Sequence, residues 1–353
     1  MTSKTTVSYD VVAEAVNRAC RAPSIHNSQP WRFVGSVDAL RLFVDRDRQV
    51  DTDSSGRQAL LSCGAVLDHL KVAMAATGWA SNVDYYPNPN DHTHLASIDF
   101  TPMSFVTDAH RRRAGAILTR RTDRLPFDAP SGWDAFERLL RHGVGDDLAQ
   151  LDVLADDARP RLAEASQLTE SLRLYDSSYH AELAWWTGPF GASDGIPQSS
   201  LISAAESDRV DIGRTFPVTH HPERRSQVAE DASTVVVLSA LADTPRDILN
   251  CGQALSATLL DATMAGFATC PLTHMTELEA SCDILRHLTG RALPQVLIRV
   301  GVAPATDSVP PPTPRRPVED VLTWELSAAE ATTPPSAARP VAGLLDDHGT
   351  PSH

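Results

Sequence analysis

The 353-residue chain has five cysteines, at positions 20, 63, 251, 270 and 282, and no two of them form a Cys-x-x-Cys pair. Such an odd, scattered set suggests neither a disulfide framework nor a zinc knuckle, and it suits a reducing compartment. Basic residues are scarce beside acidic ones: 31 Lys and Arg against 45 Asp and Glu give a net charge of -14. That sign repels duplex phosphates and anionic bilayers, so neither nucleic acid nor membrane is an expected partner. Long hydrophobic runs are missing as well. Residues 235–241 are far short of a bilayer span and residues 1–7 carry no apolar signal-type stretch, so a cytoplasmic location is expected. Neither Gly-x-Gly-x-x-Gly nor Gly-x-x-x-x-Gly-Lys-Ser/Thr occurs, which argues against a Rossmann dinucleotide site and a P-loop. With 42% hydrophobic and 22% charged residues the composition is ordinary for a globular protein, and the length leaves room for two domains.

The chain does contain an internal repeat. Cys63-Gly64-Ala65-Val66-Leu67 through Thr77-Gly78-Trp79 aligns without a gap on Cys251-Gly252-Gln253-Ala254-Leu255 through Ala265-Gly266-Phe267, an offset of 188 residues. Both copies read as long apolar helices closed by glycine. Around them the pattern predicts helices at 9–20, 133–142, 158–184 and 277–288, and strands at 31–37, 40–44, 82–86, 151–155, 234–239 and 296–300. Strands mixed with long helices, twice over, predict an α+β protein built from two similar halves. The expected division is 1–115 for the first half, 116–326 for the second, and 327–353, rich in Ala, Pro and Thr, as a mobile tail. Residues 185–225 hold four glycines and four prolines without an apolar period, too long for a connector, and are expected to form a lid.

Two apparent motifs lack their context. Gly191-Ala192-Ser193-Asp194-Gly195 spells a hydrolase nucleophile elbow, but a helical segment precedes it and Ile196-Pro197 follows, so a loop is expected. His92-Thr93-His94 and His220-His221 lie in polar, proline-punctuated stretches with no cysteine nearby, and no metal site is expected. Two other segments are more informative. In Arg21-Ala22-Pro23-Ser24-Ile25-His26-Asn27-Ser28-Gln29-Pro30-Trp31, two prolines fix a tight loop from which Ser24, Asn27 and Gln29 can aim hydrogen bonds at a ligand; a self-bonded turn is the alternative. In Arg120-Arg121-Thr122-Asp123-Arg124, three guanidiniums and a hydroxyl suit a phosphomonoester, a solvated basic face being the alternative; Pro314-Arg315-Arg316-Pro317 could add charge.

Together, Ala22-Pro23-Ser24-x-x-Asn27-x-Gln29-Pro30-Trp31, Arg120-Arg121-Thr122-x-Arg124 and Pro314-Arg315-Arg316-Pro317 resemble the FMN-dependent nitroreductase family over roughly residues 9–325. The closer resemblance is to its Acg-like branch, in which two nitroreductase domains are fused. It implies a nitroreductase-like α+β fold with two tandem domains forming an internal pseudo-dimer, so that the chain is a monomer or, with a second copy, a homodimer. FMN is the implied cofactor, NAD(P)H the transient electron donor and a nitroaromatic or quinone-like molecule the acceptor. The alternative is a flavin-binding or flavin-storage protein whose lid covers the site and allows little turnover. Arg120, Thr122 and Arg315 would face the phosphate, Arg124 would lie nearer the ribityl and pyrimidine side, and Arg121 and Arg316 would join them as cofactor-binding residues. Pro23, Ser24, Asn27 and Gln29 would complete the cradle. The run Gly266-Phe267-Ala268-Thr269-Cys270-Pro271-Leu272-Thr273-His274 matches the family segment whose backbone groups hydrogen-bond flavin N5, which brings in Pro271, Leu272, Thr273 and His274, with the N–H donors at Thr273 and His274. The Pro-Ser-x-x-Asn loop occurs only in the first half and the Arg-x-Thr motif opens only the second, so one flavin site per chain is expected. One departure is clear: the family's Asn-x-x-Lys pair is replaced by Arg225-Ser226-Gln227-Val228.

Overall fold

The computed structural model describes residues 6–188, 193–217, 219–220, 222–306 and 311–325. The first half runs α1 (Tyr9–Ala19), β1 (Trp31–Gly35), β2 (Leu40–Val44), α2 (Arg57–Ala76), β3 (Trp79–Tyr85), β4 (His94–Pro102) and α3 (Asp108–Thr119). There follow α4 (Trp133–Val144), β5 (Gln150–Leu154), α5 (Arg159–Arg173), α6 (Ser177–Trp186), α7 (Ala204–Ser207), β6 (Thr234–Ser239), α8 (Pro245–Met264), β7 (Ala268–Leu272), α9 (His274–Glu277), α10 (Glu279–Thr289), β8 (Pro294–Gly301) and β9 (Leu322–Trp324). The protein is α+β. One sheet has the order β3-β4-β2-β1-β9 and the other β7-β8-β6-β5, so the first four strands of each follow the same path.

The repeated helices, α2 and α8, begin and end at positions separated by the same 188-residue offset. They cross where neither has a side chain: a Cβ on Gly64 would overlap Leu249 O and stand 2.8 Å from Gly252 Cα, while one on Gly252 would overlap Leu61 O and stand 2.9 Å from Gly64 Cα. The two contacts exchange under the offset, as two-fold related surfaces do. Although α2 is long and apolar enough to span a bilayer, it serves here as a core helix, with Leu67, Leu70 and Met74 fully buried. Across the same seam Ser256 Oγ donates to Asp68 at 2.5 Å and meets His69 Nδ1 at 2.8 Å.

In the first half, α1 and α2 bury Val12, Val16, Leu67 and Leu70 against Trp31, Phe33, Leu42 and Ile98 of the sheet. The second sheet is covered on both faces, by α4 and α8 on one and by α5, α9 and α10 on the other, which is why every residue of β8 is buried. Local chemistry sets many boundaries: Ser8, Thr107 and Thr244 cap α1, α3 and α8 by accepting from backbone N–H groups.

One expected helix is corrected, and two features of the fold bear on the expected division. The single helix expected at 158–184 is two, because Asp176 accepts from Tyr179 N and caps a new helix after the break at 174–176. The division at 115/116 falls inside α3, whose Ala114 and Ile117 pack on α2 and α8. Residues 322–324, assigned to the second half, return to the first sheet and pair parallel with β1, Phe33 opposite Leu322. The expected tail, 327–353, lies outside the described residues.

Candidate functional site

A cavity of about 690 Å3 opens where the halves meet, a size usual for small-molecule and cofactor pockets, and both halves line it. Its first wall is the loop after α1. Ser24 is extended, but His26, Asn27 and Gln29 have φ of 48°, 58° and 52°. Three residues with side chains in the left-handed region within four positions store strain of order 1–3 kcal/mol each, a pattern found at ligand clamps. The surroundings hold this shape: Ser24 Oγ accepts from Gln29 N at 3.0 Å, Ile25 N donates to Ser62 Oγ at 3.3 Å, and Asn27 Nδ2 donates to Gly195 O at 3.0 Å and Pro314 O at 3.2 Å. Asn27 Oδ1 and His26 Nε2 are buried without a partner among the described residues, and both residues line the cavity.

One end of the cavity is cationic. Arg21, Arg120 and Arg315 converge there, and the hydrogen bonds they make go to backbone carbonyls. Arg21 reaches Thr313 O, Arg120 reaches Arg21 O, and Arg315 reaches Cys20, Arg21, Ala22, Thr313 and Pro314 oxygens. No carboxylate pairs with any of the three among the described residues. Arg120 is 5% exposed, yet its Nε and Nη1 have no partner among the described residues. Burial, then the charge of Arg21, lowers its pKa to about 10. Arg315 is pushed well below the usual range by burial and by Arg21 and Arg120. Three converging cations, one buried and two half-buried, with no carboxylate partner among the described residues are costly unless an anion joins them.

Arg121 and Thr122 extend this wall, and Arg124 stands farther along it, its guanidinium 5.1 Å from the Phe216 ring centroid and its Nη1 donating to Ser200 O. Pro23 and Ser24 face them from the first half. Pro271, Leu272 and Thr273, at the end of β7, supply another side. Arg214 and Glu277 form a buried ion pair below them, with Tyr179 hydroxyl 3.2 Å from Arg214. Burial opposes the Arg214 charge, but Glu277 more than offsets it and raises its pKa. His26, pushed well below its normal pKa by burial, Arg214 and Arg124, is neutral there.

Three expected cradle residues stand behind the wall. Gln29, fully buried, donates to Asn27 O and Ser193 O and accepts from Arg316 N, so it braces the loop. The Arg316 guanidinium turns away to Asp320 O and Asp45. The His274 ring is enclosed, with Nε2 3.0 Å from Ser166 Oγ, although its N–H sits in the first helical turn, where intrahelical partners are lacking. Arg225, at the family's Asn-x-x-Lys position, is locked onto Asp123 at 2.5 Å and Pro126 O, and does not reach the cavity. Conversely, Arg21, Gln58, Arg214 and Phe216 line the site without having been singled out for it. Only Arg21 had a signal, its position beside Ala22-Pro23-Ser24.

The described part of the segment expected to be a lid does wall the cavity, through Ile196, Pro197, Ile202 and Phe216 among others. Ties to the first half hold it: Arg48 pairs with Asp194 at 2.5 Å, Glu182 on α6 accepts from Thr52, and Asn27 and Gln29 take the carbonyls of Gly195 and Ser193. Ser193 thus contributes a carbonyl in a bend; Gly191 and Ala192 lie outside the described residues. His94 is in β4, stacked on Phe43 with centroids 4.6 Å apart. The 188-residue offset carries Gln58 onto Arg246 and Thr273 onto Tyr85, and there Arg246 covers the Tyr85 ring at 4.5 Å while Gln253 bonds its hydroxyl. Side chains therefore meet one another at the counterpart of this wall.

No family model matches the chain. It is 60% identical over 320 residues to a Mycobacterium tuberculosis protein provisionally named NAD(P)H nitroreductase acg, covering 90% of this chain and 97% of that protein. A second M. tuberculosis protein, provisionally named NAD(P)H nitroreductase Rv3131, is 36% identical over 328 residues, 89% of this chain and 92% of its own. Among solved structures, the FMN-dependent nitroreductase NfnB from Mycobacterium smegmatis in complex with NADPH is similar at 16% identity and a TM-score of 0.37, covering 65% of this chain and all of that one. On the strength of the two sequence relatives, the chain belongs to the nitroreductase family, in its Acg-like branch.

Proposed function

We propose that the chain is an oxidoreductase that holds one FMN in the cavity between its halves and passes hydride from NAD(P)H to a nitroaromatic or quinone-like acceptor. The observation that carries this reading is the trio Arg21, Arg120 and Arg315 at the cavity end, Arg120 buried and the other two half-buried, which among the described residues has no carboxylate partner and leaves two Arg120 donors unpartnered. A terminal phosphomonoester answers both features, because its charge offsets the desolvation and its oxygens accept charge-assisted hydrogen bonds. Arg121 and Thr122 continue the phosphate side, and Ser24 and Asn27 face the polar parts of the ligand, with Asn27 Oδ1 ready to accept. Leu272 and Pro271 give an isoalloxazine ring apolar surface. When bound, FMN supplies reversible two-electron chemistry that no side chain here offers. The chain's residues bind and orient it, and the covering segment excludes water. The family name of both M. tuberculosis relatives supports NAD(P)H as donor. The cytoplasm, where that donor is supplied, is the compartment the reading needs. A site built from both halves of one chain also makes a monomer sufficient, with homodimers left possible by the fold.

A second reading rests on the covering segment. Its ties through Asn27, Gln29 and Arg48 favour a closed site, and a chain closed in this way would bind flavin with little turnover. Steady-state oxidation of NADH and NADPH by the FMN-loaded protein, with a nitroaromatic and with a quinone, separates the two. Turnover supports the oxidoreductase; bound FMN without turnover supports storage; a protein that cannot take up FMN refutes both.

A further inference from the structure

Two carboxamides in the loop after α1 tie the same three parts of the chain together. Asn27 Nδ2 donates to Gly195 O at 3.0 Å in the covering segment and to Pro314 O at 3.2 Å in the segment before β9. Gln29 Nε2 donates to Ser193 O at 2.9 Å, while its Oε1 accepts from Arg316 N at 2.9 Å. Between them, Arg48 joins Ser28 O at 2.8 Å to Asp194 at 2.5 Å. Three successive loop residues thus meet three successive residues of the covering segment, in reverse order. The two ties to the later segment flank Arg315, whose guanidinium reaches the Cys20, Arg21 and Ala22 oxygens at the cationic end. Gln29 is fully buried, and its amide nitrogen also donates to Asn27 O at 3.3 Å. A flipped amide would set oxygen against two carbonyls and nitrogen against an N–H, so its orientation is fixed.

We propose that Gln29 is a positioning residue that couples phosphate binding at Arg315 to docking of the covering segment, so that a phosphate-bearing ligand closes its own site and the same ligand without phosphate does not. The phosphate reading of the arginine trio is the premise, and the strained loop supplies the coupling. His26, Asn27 and Gln29 hold left-handed backbone conformations, which persist only where the surroundings impose them; here the covering segment and the segment before β9 impose them together. Without an anion, Arg315 is repelled by Arg21 and Arg120, which works against docking of its segment. An anion among the three turns that repulsion into attraction. Once docked, the segment presents Pro314 O and Arg316 N to the two carboxamides, and these in turn hold Gly195 and Ser193. Linkage runs both ways, so a docked covering segment strengthens phosphate binding by the same factor.

The test is hydrogen exchange at the Ile196 amide of the full chain, with and without saturating inorganic phosphate. This N–H donates to Trp186 O at 2.7 Å and belongs to the same peptide unit as the Gly195 carbonyl that Asn27 holds. In wild type, phosphate is expected to slow exchange there by about five- to a hundredfold, the usual range of coupling between sites. In Gln29→Met, which keeps the volume and loses the hydrogen bonds, the slowing is lost although phosphate still binds. A merely structural role would speed exchange with and without phosphate and leave the ratio unchanged. Bound phosphate that leaves wild-type exchange unaltered, or slowing that survives in Gln29→Met, overturns the coupling and spares the phosphate reading. Should Gln29→Met fail to fold, or phosphate alone fail to bind, FMN against riboflavin decides in wild type: greater slowing by FMN supports the coupling and equal slowing overturns it. A wild-type chain that takes up neither phosphate nor FMN overturns both.

Discussion

Replacing Arg120 by methionine should move two properties in opposite directions. The guanidinium is buried and its pKa is lowered to about 10 from 12.5, first by desolvation and then by Arg21. At about 1.4 kcal/mol per unit, the charged form is disfavoured by roughly 3 kcal/mol in the empty protein. Methionine fills similar space without the charge, and what it loses is the bond from Nη2 to Arg21 O, about 1.5–3 kcal/mol for a bond from a charged group. The apoprotein should therefore be no less stable, gaining up to about 2 kcal/mol, read from urea unfolding monitored by far-UV circular dichroism. FMN affinity should fall, because a hydrogen bond to a charged group contributes about 1.5–3 kcal/mol, equivalent to about ten- to a hundredfold in the dissociation constant. Fluorescence quenching of free FMN measures that directly. A destabilised apoprotein with unchanged FMN affinity would show that Arg120 is a structural cation satisfied by the fold, and the phosphate assignment would fail.

Replacing Arg120 and Arg315 together by alanine should lower FMN affinity by more than tenfold, each lost charge-assisted bond being worth about 1.5–3 kcal/mol. It should also destabilise the chain, since Arg315 ties Cys20, Arg21 and Ala22 to Thr313 and Pro314; equal affinity by titration contradicts this. Gly64→Ala drives a methyl into Leu249 O on the facing helix, and overpacking of this kind costs about 1–3 kcal/mol or more; an unchanged urea midpoint would show that α2 and α8 can part without penalty. His69 is buried at the same seam, with its pKa well below 6.5 through desolvation and the charges of Arg120 and Arg315. The unfolded chain protonates this residue first, so its contribution is lost as pH falls below 6.5. In His69→Gln the slope of stability against pH between 6 and 5 should be shallower by about one proton, about 1.4 kcal/mol per unit. An unaltered slope means that His69 titrates normally in the fold.

Much of this was legible because its signals are local. The repeat at Cys63-Gly64 and Cys251-Gly252 needs small residues at a helix crossing, and that requirement shows in the sequence as well as in the contact. Pro23-Ser24-x-x-Asn27 and Arg120-x-Thr122 are short motifs whose residues all reach one cavity. The unread features depend on distant partners. Nothing in Leu322-Thr323-Trp324 reports that it will pair with β1, nearly three hundred positions earlier. Arg214 matters because Glu277 and Tyr179 meet it in space, and Gln58 because Thr273 does. The strained backbone at His26, Asn27 and Gln29 was hidden for another reason: left-handed conformations are expected of glycine, and there the tertiary contacts of the loop impose them. The break at 174–176 was readable in principle, since Asp176 before Ser177-Ser178-Tyr179 is a capping sequence.

The most direct measurement is a titration of the apoprotein with FMN, followed by absorbance and fluorescence to saturation. A cationic pocket shared by the two halves, with Arg246 packed over Tyr85 at its offset counterpart, predicts saturation at one FMN per 353-residue chain and poor binding by either half expressed alone. Saturation at two per chain, tight binding by an isolated half, or no binding at all would contradict it.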